Sequence, residues 1–291
     1  MLRLQIQLPL NVSRSLEEAL REHVETNASE YQTEIRLENS HACGGEYPID
    51  SQPVDIMIGF MPELAMQTDE YLLEHIISSS GRFPMSKELQ EQGFSDTRGC
   101  FHVFGIVPFI MFYNPDYTEE AELPRTWSEI LNPQWKGRIM MPGKEHMASR
   151  VIRAFLKHDN LEKAQAIDEN ITCSGMPPNV IEAVKNGEFA LGITNITFGK
   201  ISESQKIKMI WPEDGLLCMP QIMVWKKGID ESLLKLGDFM LASTVQTLLA
   251  QQSFVPTAPG NEIPKIIRAN QVGLKWTGWD EFRQAMRNSE I

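Results

Sequence analysis

Two long apolar stretches typical of extended chain constrain the fold of this sequence most strongly. The first covers residues 101–113 and contains Gly105 and Pro108, and the second covers residues 216–225. Because glycine and proline interrupt regular strands, we predict that the first stretch is one strand leaving a first lobe and another entering a second. The second stretch predicts the return crossing. Two strand crossings without a flexible linker predict two lobes joined by a hinge.

The segments around these stretches alternate between strand and helix patterns. Period-two alternation predicts strands at 2–8 and 33–37, and an apolar run predicts a third at 54–59. Ser15 with Glu18 forms a capping-box pattern, so we predict a helix from Ser15 and a loop over residues 9–14. The same patterns predict later helices near 126–131, 147–158, 160–169, 177–186, 230–251 and 278–288. Alternating strands and helices indicate parallel sheets covered by helices.

Composition excludes several classes of function. The chain has 291 residues and a formal net charge of −12, which argues against a nucleic-acid partner or an anionic membrane surface. No run approaches the roughly 18 apolar residues that span a bilayer. The N-terminal residues alternate and lack a signal-peptide pattern, so either a leader has been removed or the protein is leaderless and cytoplasmic.

Three segments carry a family pattern. They are residues 126–139 (TWSEILNPQWKGRI), 180–193 (VIEAVKNGEFALGI) and 238–257 (DFMLASTVQTLLAQQSFVPT). Thr126 with Glu129 predicts a capped helix, which Asn132-Pro133 ends. In order and spacing, these segments resemble extracytoplasmic solute-binding proteins, the receptors of ABC importers, and the iron(III)-type branch matches best. The resemblance covers roughly residues 100–260, and the first hundred residues match only in layout.

The resemblance implies an α/β fold of the two-lobe type II periplasmic-binding-protein kind, with a mostly parallel sheet in each lobe. Lobe one would comprise 1–104 and 223–291, and lobe two 105–222. It also implies a non-enzymatic, monomeric, extracytoplasmic receptor that closes on a small molecule or ion and presents it to a membrane permease. No cofactor is expected.

The candidate ligand-binding residues follow predicted strands or open predicted helices, where unpaired backbone N–H groups gather. In lobe one they are Asn11, Ser13, Gly59, Phe60 and Phe104; in lobe two they are His146, Ser149, Arg150, Asn195 and Thr197. A purely structural role as helix cap or strand-end glycine is the alternative for each. We expect the two sets to face each other across one cleft.

The ligand class is open at this point. The resemblance places paired, iron-coordinating tyrosines near Asn195 and Thr197, but the last tyrosine of this chain is Tyr117. Hydrogen-bonding groups suit a small anion or an anionic metal chelate, and a polar organic solute is the alternative. A ligand-sensing regulatory module or an enzyme on the same fold are further alternatives. The sequence lacks the P-loop, HExxH, GxSxG and GxGxxG motifs, and Cys43 with Glu46 is the only local catalytic candidate.

The four cysteines, Cys43, Cys100, Cys173 and Cys218, are widely spaced and form no CxxC pair. We expect free or buried thiols, with one or two disulfides possible in an exported protein. His41-Ala42-Cys43 and Cys100-Phe101-His102 are mirrored pairs that would offer soft metal ligands. The spacing of these pairs matches no known zinc motif, so we predict that His41, Cys43, Cys100 and His102 bind no structural metal.

Overall fold

The computed structural model describes residues 2–31, 34–39, 54–202 and 206–289. The chain divides into two compact units. Unit 1 comprises residues 1–106 and 220–264, and unit 2 comprises residues 107–219 and 265–291. Both units combine strands with helices.

The strands and helices have the following bounds. The strands are β1 (Leu2–Gln7), β2 (Ile35–Asn39), β3 (Ile56–Gly59), β4 (His102–Tyr113), β5 (Ile139–Met141), β6 (Ile171–Cys173), β7 (Leu191–Asn195), β8 (Lys208–Ile210), β9 (Leu216–Trp225), β10 (Val255–Pro256) and β11 (Leu274–Lys275). The α-helices are α1 (Leu10–Thr26), α2 (Pro62–Ala65), α3 (Asp69–His75), α4 (Lys87–Glu91), α5 (Met147–Asp159), α6 (Ala164–Asn170), α7 (Pro177–Lys185), α8 (Ile196–Ser202), α9 (Lys235–Met240), α10 (Ser243–Gln251), α11 (Lys265–Ala269) and α12 (Trp279–Ser289).

The sheet of unit 1 has the order β2-β1-β3-β9-β4. β1 lies between β2 and β3 and is parallel to both, whereas β9 is antiparallel to β3 and β10 is antiparallel to β4. Parallel strands with helical connections have both faces covered, so even the polar residues of β1 are buried. Gln5 and Gln7 are 6% and 5% exposed.

The sheet of unit 2 has the order β4-β7-β5-β6. β5 is parallel to β6 and β7, and β4 is antiparallel to β7 and β8. The prediction of mostly parallel sheets therefore holds for the strands connected by helices. It fails for β4 and β9, the two strands with residues in both units.

β4 corrects the prediction of two strands separated by a break. It runs without interruption from His102 to Tyr113, and every residue in it is buried. Gly105 and Ile106 pair with β10, and the residues from Phe109 onward pair with β7. Pro108 lies between these two ladders, where a missing N–H is tolerated.

Helix α1 begins one turn earlier than predicted. The N–H groups of Val12 and Ser13 both donate to the carbonyl of Pro9, at 3.0 Å each. Val12 extends the buried face of Leu16 and Leu20 by one turn, and that added burial favours helix over the predicted loop. Ser15 thus lies inside the helix and does not cap it.

The segment 126–131 also departs from its predicted form. Trp127–Leu131 is a 3₁₀ helix, and the Thr126 side chain makes no capping hydrogen bond. Glu129 instead accepts the backbone N–H of Arg125 at 2.7 Å. Asn132 is extended, as expected for a residue before proline.

The C-terminal segment corrects the predicted boundaries. Residues 223–291 were placed in lobe one, but residues 265–291 belong to unit 2. The Phe282 ring of α12 lies 5.7 Å from the Phe155 ring of α5, and Glu281 contacts His158 at 3.1 Å. An amphipathic tail helix packs wherever a matching apolar face is open, and α5 provides it.

Among the described residues, no single helix has the length and apolar character needed to cross a membrane. One bent pair, residues 231–240 with 243–251, meets those criteria only when both helices are counted together.

Candidate functional site

In unit 2 the predicted ligand residues lie at one edge of the sheet. The parallel strands β5, β6 and β7 end at Met141, Cys173 and Asn195, so the segments that follow them share that edge. α5, which starts beyond β5, has 13 residues. Carboxyl ends of parallel strands, with helices starting beside them, are the usual place for ligands in open α/β sheets.

His146 caps α5 and has a defined protonation state. Its Nδ1 accepts the backbone N–H of Ala148 at 3.2 Å. Burial lowers the pKa of His146 to about 4, so the ring is neutral at pH 7. Because Nδ1 is an acceptor, the ring proton lies on Nε2, which is a hydrogen-bond donor.

Arg150 lies one helical turn after His146. Residues four apart on a helix share a face, and the Arg150 N–H donates to the His146 carbonyl at 3.1 Å. The first turns of α5 therefore combine a neutral N–H donor, a guanidinium and the positive end of the helix dipole. This arrangement suits an anion.

Ser149, Asn195 and Thr197 are engaged in local structure. The fully buried Ser149 hydroxyl donates to the Pro142 carbonyl at 2.7 Å. Asn195 Oδ1 accepts the Thr197 N–H at 3.2 Å and so orients the start of α8. These side chains shape the edge of the sheet.

In unit 1, Gly59 is required by a close approach of two strands. Its φ is +126°, and a Cβ atom there would lie 1.8 Å from the Gln7 carbonyl oxygen. The following Phe60 is fully buried and donates its N–H to that oxygen at 3.3 Å. The neighbouring strand accounts for the glycine, without any need for a ligand.

The remaining predicted residues of unit 1 also have structural partners. Asn11 Nδ2 donates to Gln252 Oε1 at 3.3 Å, and the Ser13 hydroxyl donates to Glu17 at 2.6 Å. Both lie in the first turns of α1, not in the predicted loop. Phe104 is fully buried in β4.

The family segment 238–257 contains a set of buried hydrogen bonds centred on Gln246. Gln246 is fully buried; its Nε2 donates to the carbonyls of Phe104 and Met240, and its Oε1 accepts the N–H groups of Thr257 and Ala258. All four distances are 2.9–3.0 Å. We call this arrangement the Gln246 clamp, and it joins β4, α9 and the segment after β10.

The tryptophans of the first family segment are core residues of unit 2. Trp127 is 1% exposed, and its Nε1 donates to the Gly215 carbonyl at 2.8 Å. Trp135 is fully buried and has the Arg138 guanidinium 5.4 Å from its ring centre. The resemblance in this segment is carried by packing.

Sequence reasoning missed two glutamines in unit 1, Gln7 and Gln221. Both are at least nine-tenths buried, and each has an amide oxygen with no hydrogen-bond partner in the described part of the chain. The period-two alternation of residues 2–8 places Gln7 on the polar face of a strand. The available signal was its position in a strand flanked on both sides by parallel neighbours, where a polar side chain needs an explanation.

The cysteines and the candidate metal ligands do not come together in the described residues. Among the described residues, Cys100, Cys173 and Cys218 form no disulfide. His102 contacts the Ser79 hydroxyl at 3.0 Å, and burial lowers its pKa to about 4. Within the described ranges, no group of three or more His, Cys, Asp and Glu could hold a metal. His41, Cys43 and Glu46 lie outside the described residues.

Comparison with known proteins gives one family and many similar folds. The model of a family described as bacterial extracellular solute-binding protein matches residues 52–285. No curated protein matches the sequence of this chain.

Three solved structures illustrate the likeness of fold. A ferric binding protein from Campylobacter jejuni has a TM-score of 0.75 at 14% identity, covering 100% of this chain and 97% of its own. The apo ferric ion-binding protein A of Pasteurella haemolytica has a TM-score of 0.74 at 14% identity, covering 99% and 95%. A Trichodesmium protein solved with iron and citrate has a TM-score of 0.70 at 14% identity, covering 99% and 96%.

Proposed function

We propose that this chain, a member of the family of bacterial extracellular solute-binding proteins, is the receptor of an ABC importer. We propose further that it captures a small anion or an anionic metal chelate. The family assignment confirms the sequence-based prediction of a solute-binding receptor. The predicted α/β fold of the type II periplasmic-binding-protein kind is confirmed by the similar structures. Members of this family bind solutes and are extracellular, and a periplasmic or cell-surface location is part of the proposal.

The observation that carries the anion assignment is the donor set at the start of α5. His146 has a neutral Nε2–H, Arg150 adds a positive charge one helical turn later, and the helix dipole adds positive potential. The net charge of −12 does not oppose this, because charges several Debye lengths away are screened.

A chelate fits these residues better than a bare ferric ion. The similar structures include ferric-binding proteins, but this chain has Asn195 and Thr197 where the resemblance implies paired tyrosines. Amide and hydroxyl groups lack the negative charge of a phenolate and are weak ligands for a bare trivalent ion. A metal would therefore arrive as cargo already coordinated by an organic anion.

The partners and the absence of catalysis are inferred from the family. The receptor would act as a monomer, deliver its solute to a membrane permease, use no cofactor and bind no nucleic acid. The prediction that two lobes close on the solute by hinge motion stays a prediction. Ligand-sensing and enzymatic roles on this fold have no supporting observation among the described residues.

Thermal shift with phosphate, sulfate, citrate and ferric citrate tests the proposal. A solute at a hundredfold excess over its Kd stabilises the protein by about 2.7 kcal/mol, which is a clear shift. We expect Arg150→Ala to weaken binding at least tenfold. Lys157→Ala, at the other end of the same helix, should leave the affinity unchanged.

Two results would overturn the anion assignment. One is a shift produced by neutral solutes alone, which would favour the polar organic alternative. The other is equal affinity in the wild type and in Arg150→Ala, which would show that the start of α5 is not part of the site.

A further inference from the structure

Two cations and one carboxylate meet beside the start of α5 in unit 2. The Lys144 ammonium lies 3.4 Å from Asp168 Oδ1, and Arg153 Nη2 donates to the same oxygen atom at 2.8 Å. Lys144 precedes α5, Arg153 belongs to it, and Asp168 belongs to α6. We call these three residues the Asp168 cluster. Because two cations share one carboxylate, the cluster keeps a positive charge that Asp168 does not neutralise.

The cluster adjoins the donor set at the start of α5. Lys144 stands two residues before His146. Arg153 stands three residues after Arg150 on the same helix, which corresponds to a rise of about 4.5 Å. One molecule with two acidic groups can therefore reach both arginines.

The Cys173 thiol places the cluster at the carboxyl edge of the sheet. Cys173 is the last residue of β6 and pairs with Met141, the last residue of β5. Burial raises the pKa of the Cys173 thiol, whereas the nearby Arg153 and Lys144 cations oppose that rise. The two cations and the ends of both strands thus share the edge at which α5 begins.

Solvent reaches the place that the Asp168 carboxylate occupies. The Lys144 and Asp168 side chains are 64% and 57% exposed, and the Arg153 side chain is 22% exposed. Ion pairs at an exposed surface add little stability, because water screens the two charges. A carboxylate of a solute can therefore replace Asp168 between the two cations at a low cost in free energy.

We propose that Lys144 and Arg153 bind a second carboxylate of the solute, and that Asp168 takes the place of this carboxylate in the solute-free protein. The inference rests on the proposed function, since it specifies the class of anion. The solute carries at least two carboxylates, one at the His146 and Arg150 donors and one between the two cations of the cluster. Polycarboxylates and their metal chelates belong to this class, and monocarboxylates do not.

The charge of Asp168 distinguishes this role from a structural one. If Asp168 competes with the solute, Asp168→Asn frees both cations and should tighten binding about threefold, the range expected for an exposed ion pair. If Asp168 instead holds Arg153 in place for the fold, the same change loosens Arg153 and weakens binding. Glu169→Gln is the matched control, because Glu169 is the next residue and forms an exposed ion pair with Lys136 at 3.1 Å. This control changes the net charge equally and should alter the affinity less than about twofold.

Titration calorimetry of the full chain with four probes tests the inference. Glutarate has one carboxylate more than butyrate, and citrate and ferric citrate represent the proposed solutes. We expect the wild type to bind glutarate more tightly than butyrate. Lys144→Ala and Arg153→Ala should each weaken the binding of citrate and ferric citrate about tenfold, because hydrogen bonds between charged groups are the strong ones. Both variants should also lose the preference for glutarate over butyrate.

Three outcomes would overturn the inference. Equal affinity of the wild type for glutarate and butyrate, or unchanged affinity of Lys144→Ala for citrate and ferric citrate, refutes the second carboxylate site and leaves an anion receptor intact. Weaker or unchanged binding in Asp168→Asn refutes the exchange of carboxylates. Binding of no anion or chelate by the wild type refutes the proposed function together with the inference. Lys144→Ala decides the test if Arg153→Ala folds poorly, because Lys144 lies before the helix and is mostly exposed.

Discussion

Replacing Gln246 by alanine should destabilise unit 1 by about 4 kcal/mol. The change removes the four hydrogen bonds of the Gln246 clamp and leaves two N–H groups and two carbonyls in a fully buried position. An unpaired buried donor costs about 1–3 kcal/mol, and the two carbonyls lose less because each has a second lone pair. Water entering the space left by the side chain restores part of the loss.

Urea unfolding followed by circular dichroism measures this effect. Gln251→Ala is the matched control, because Gln251 is an exposed residue of the same helix and its loss should change stability by no more than about 0.5 kcal/mol. The urea midpoint should fall in Gln246→Ala while the m-value stays constant. A loss below about 1 kcal/mol, or one equal to that of Gln251→Ala, would refute the assignment of the family glutamine to this structural role.

Two further predictions concern acid stability and backbone strain. Burial lowers the pKa of His102 to about 4, whereas a histidine of the unfolded chain keeps its ordinary pKa of 6.5. Protonation of the unfolded chain should therefore cost the wild type about 3 kcal/mol of stability as the pH falls from 6.5 to 4. His102→Asn should remove that part of the pH dependence, and equal slopes of unfolding free energy against pH in the two proteins would contradict it. Gly59→Ala should cost at least about 3 kcal/mol, because its Cβ would overlap the Gln7 backbone at a φ of +126°. Gly137→Ala, at φ +66° with nothing within 4 Å, should cost only about 1 kcal/mol, and similar losses in urea unfolding would argue against the close approach.

Much of the order of strands and helices could be predicted, because it depends on local periodicity. The strand at 2–7, the helix opened by Pro177 and the tail helix α12 all follow from spacing within a few residues. Where long-range burial decides, the local signal failed. The burial of Val12 favours a helix over residues 10–14, where the sequence predicted a loop. Strand pairing on both sides of Pro108 keeps β4 continuous.

The candidate site was less accessible to sequence reasoning. His146 and Arg150 could be proposed from the sequence because helix starts have a local signature. The unpaired amide oxygens of Gln7 and Gln221 could not, because missing partners are revealed only by the packed structure. The unit membership of α12 was mispredicted for a similar reason, since an amphipathic pattern shows that a helix packs but not against what.

The separation of residues 265–291 from the rest of their unit has a consequence for synthesis on the ribosome. All of unit 1 has been polymerised when Pro264 is added, whereas unit 2 still lacks the helix that packs on α5. Until the final residues emerge, the apolar face around Phe155 lacks the Trp276 and Phe282 rings that pack on it. A transcript truncated near codon 265 would therefore yield a completed unit 1 attached to an exposed apolar surface, which chaperones and proteases recognise.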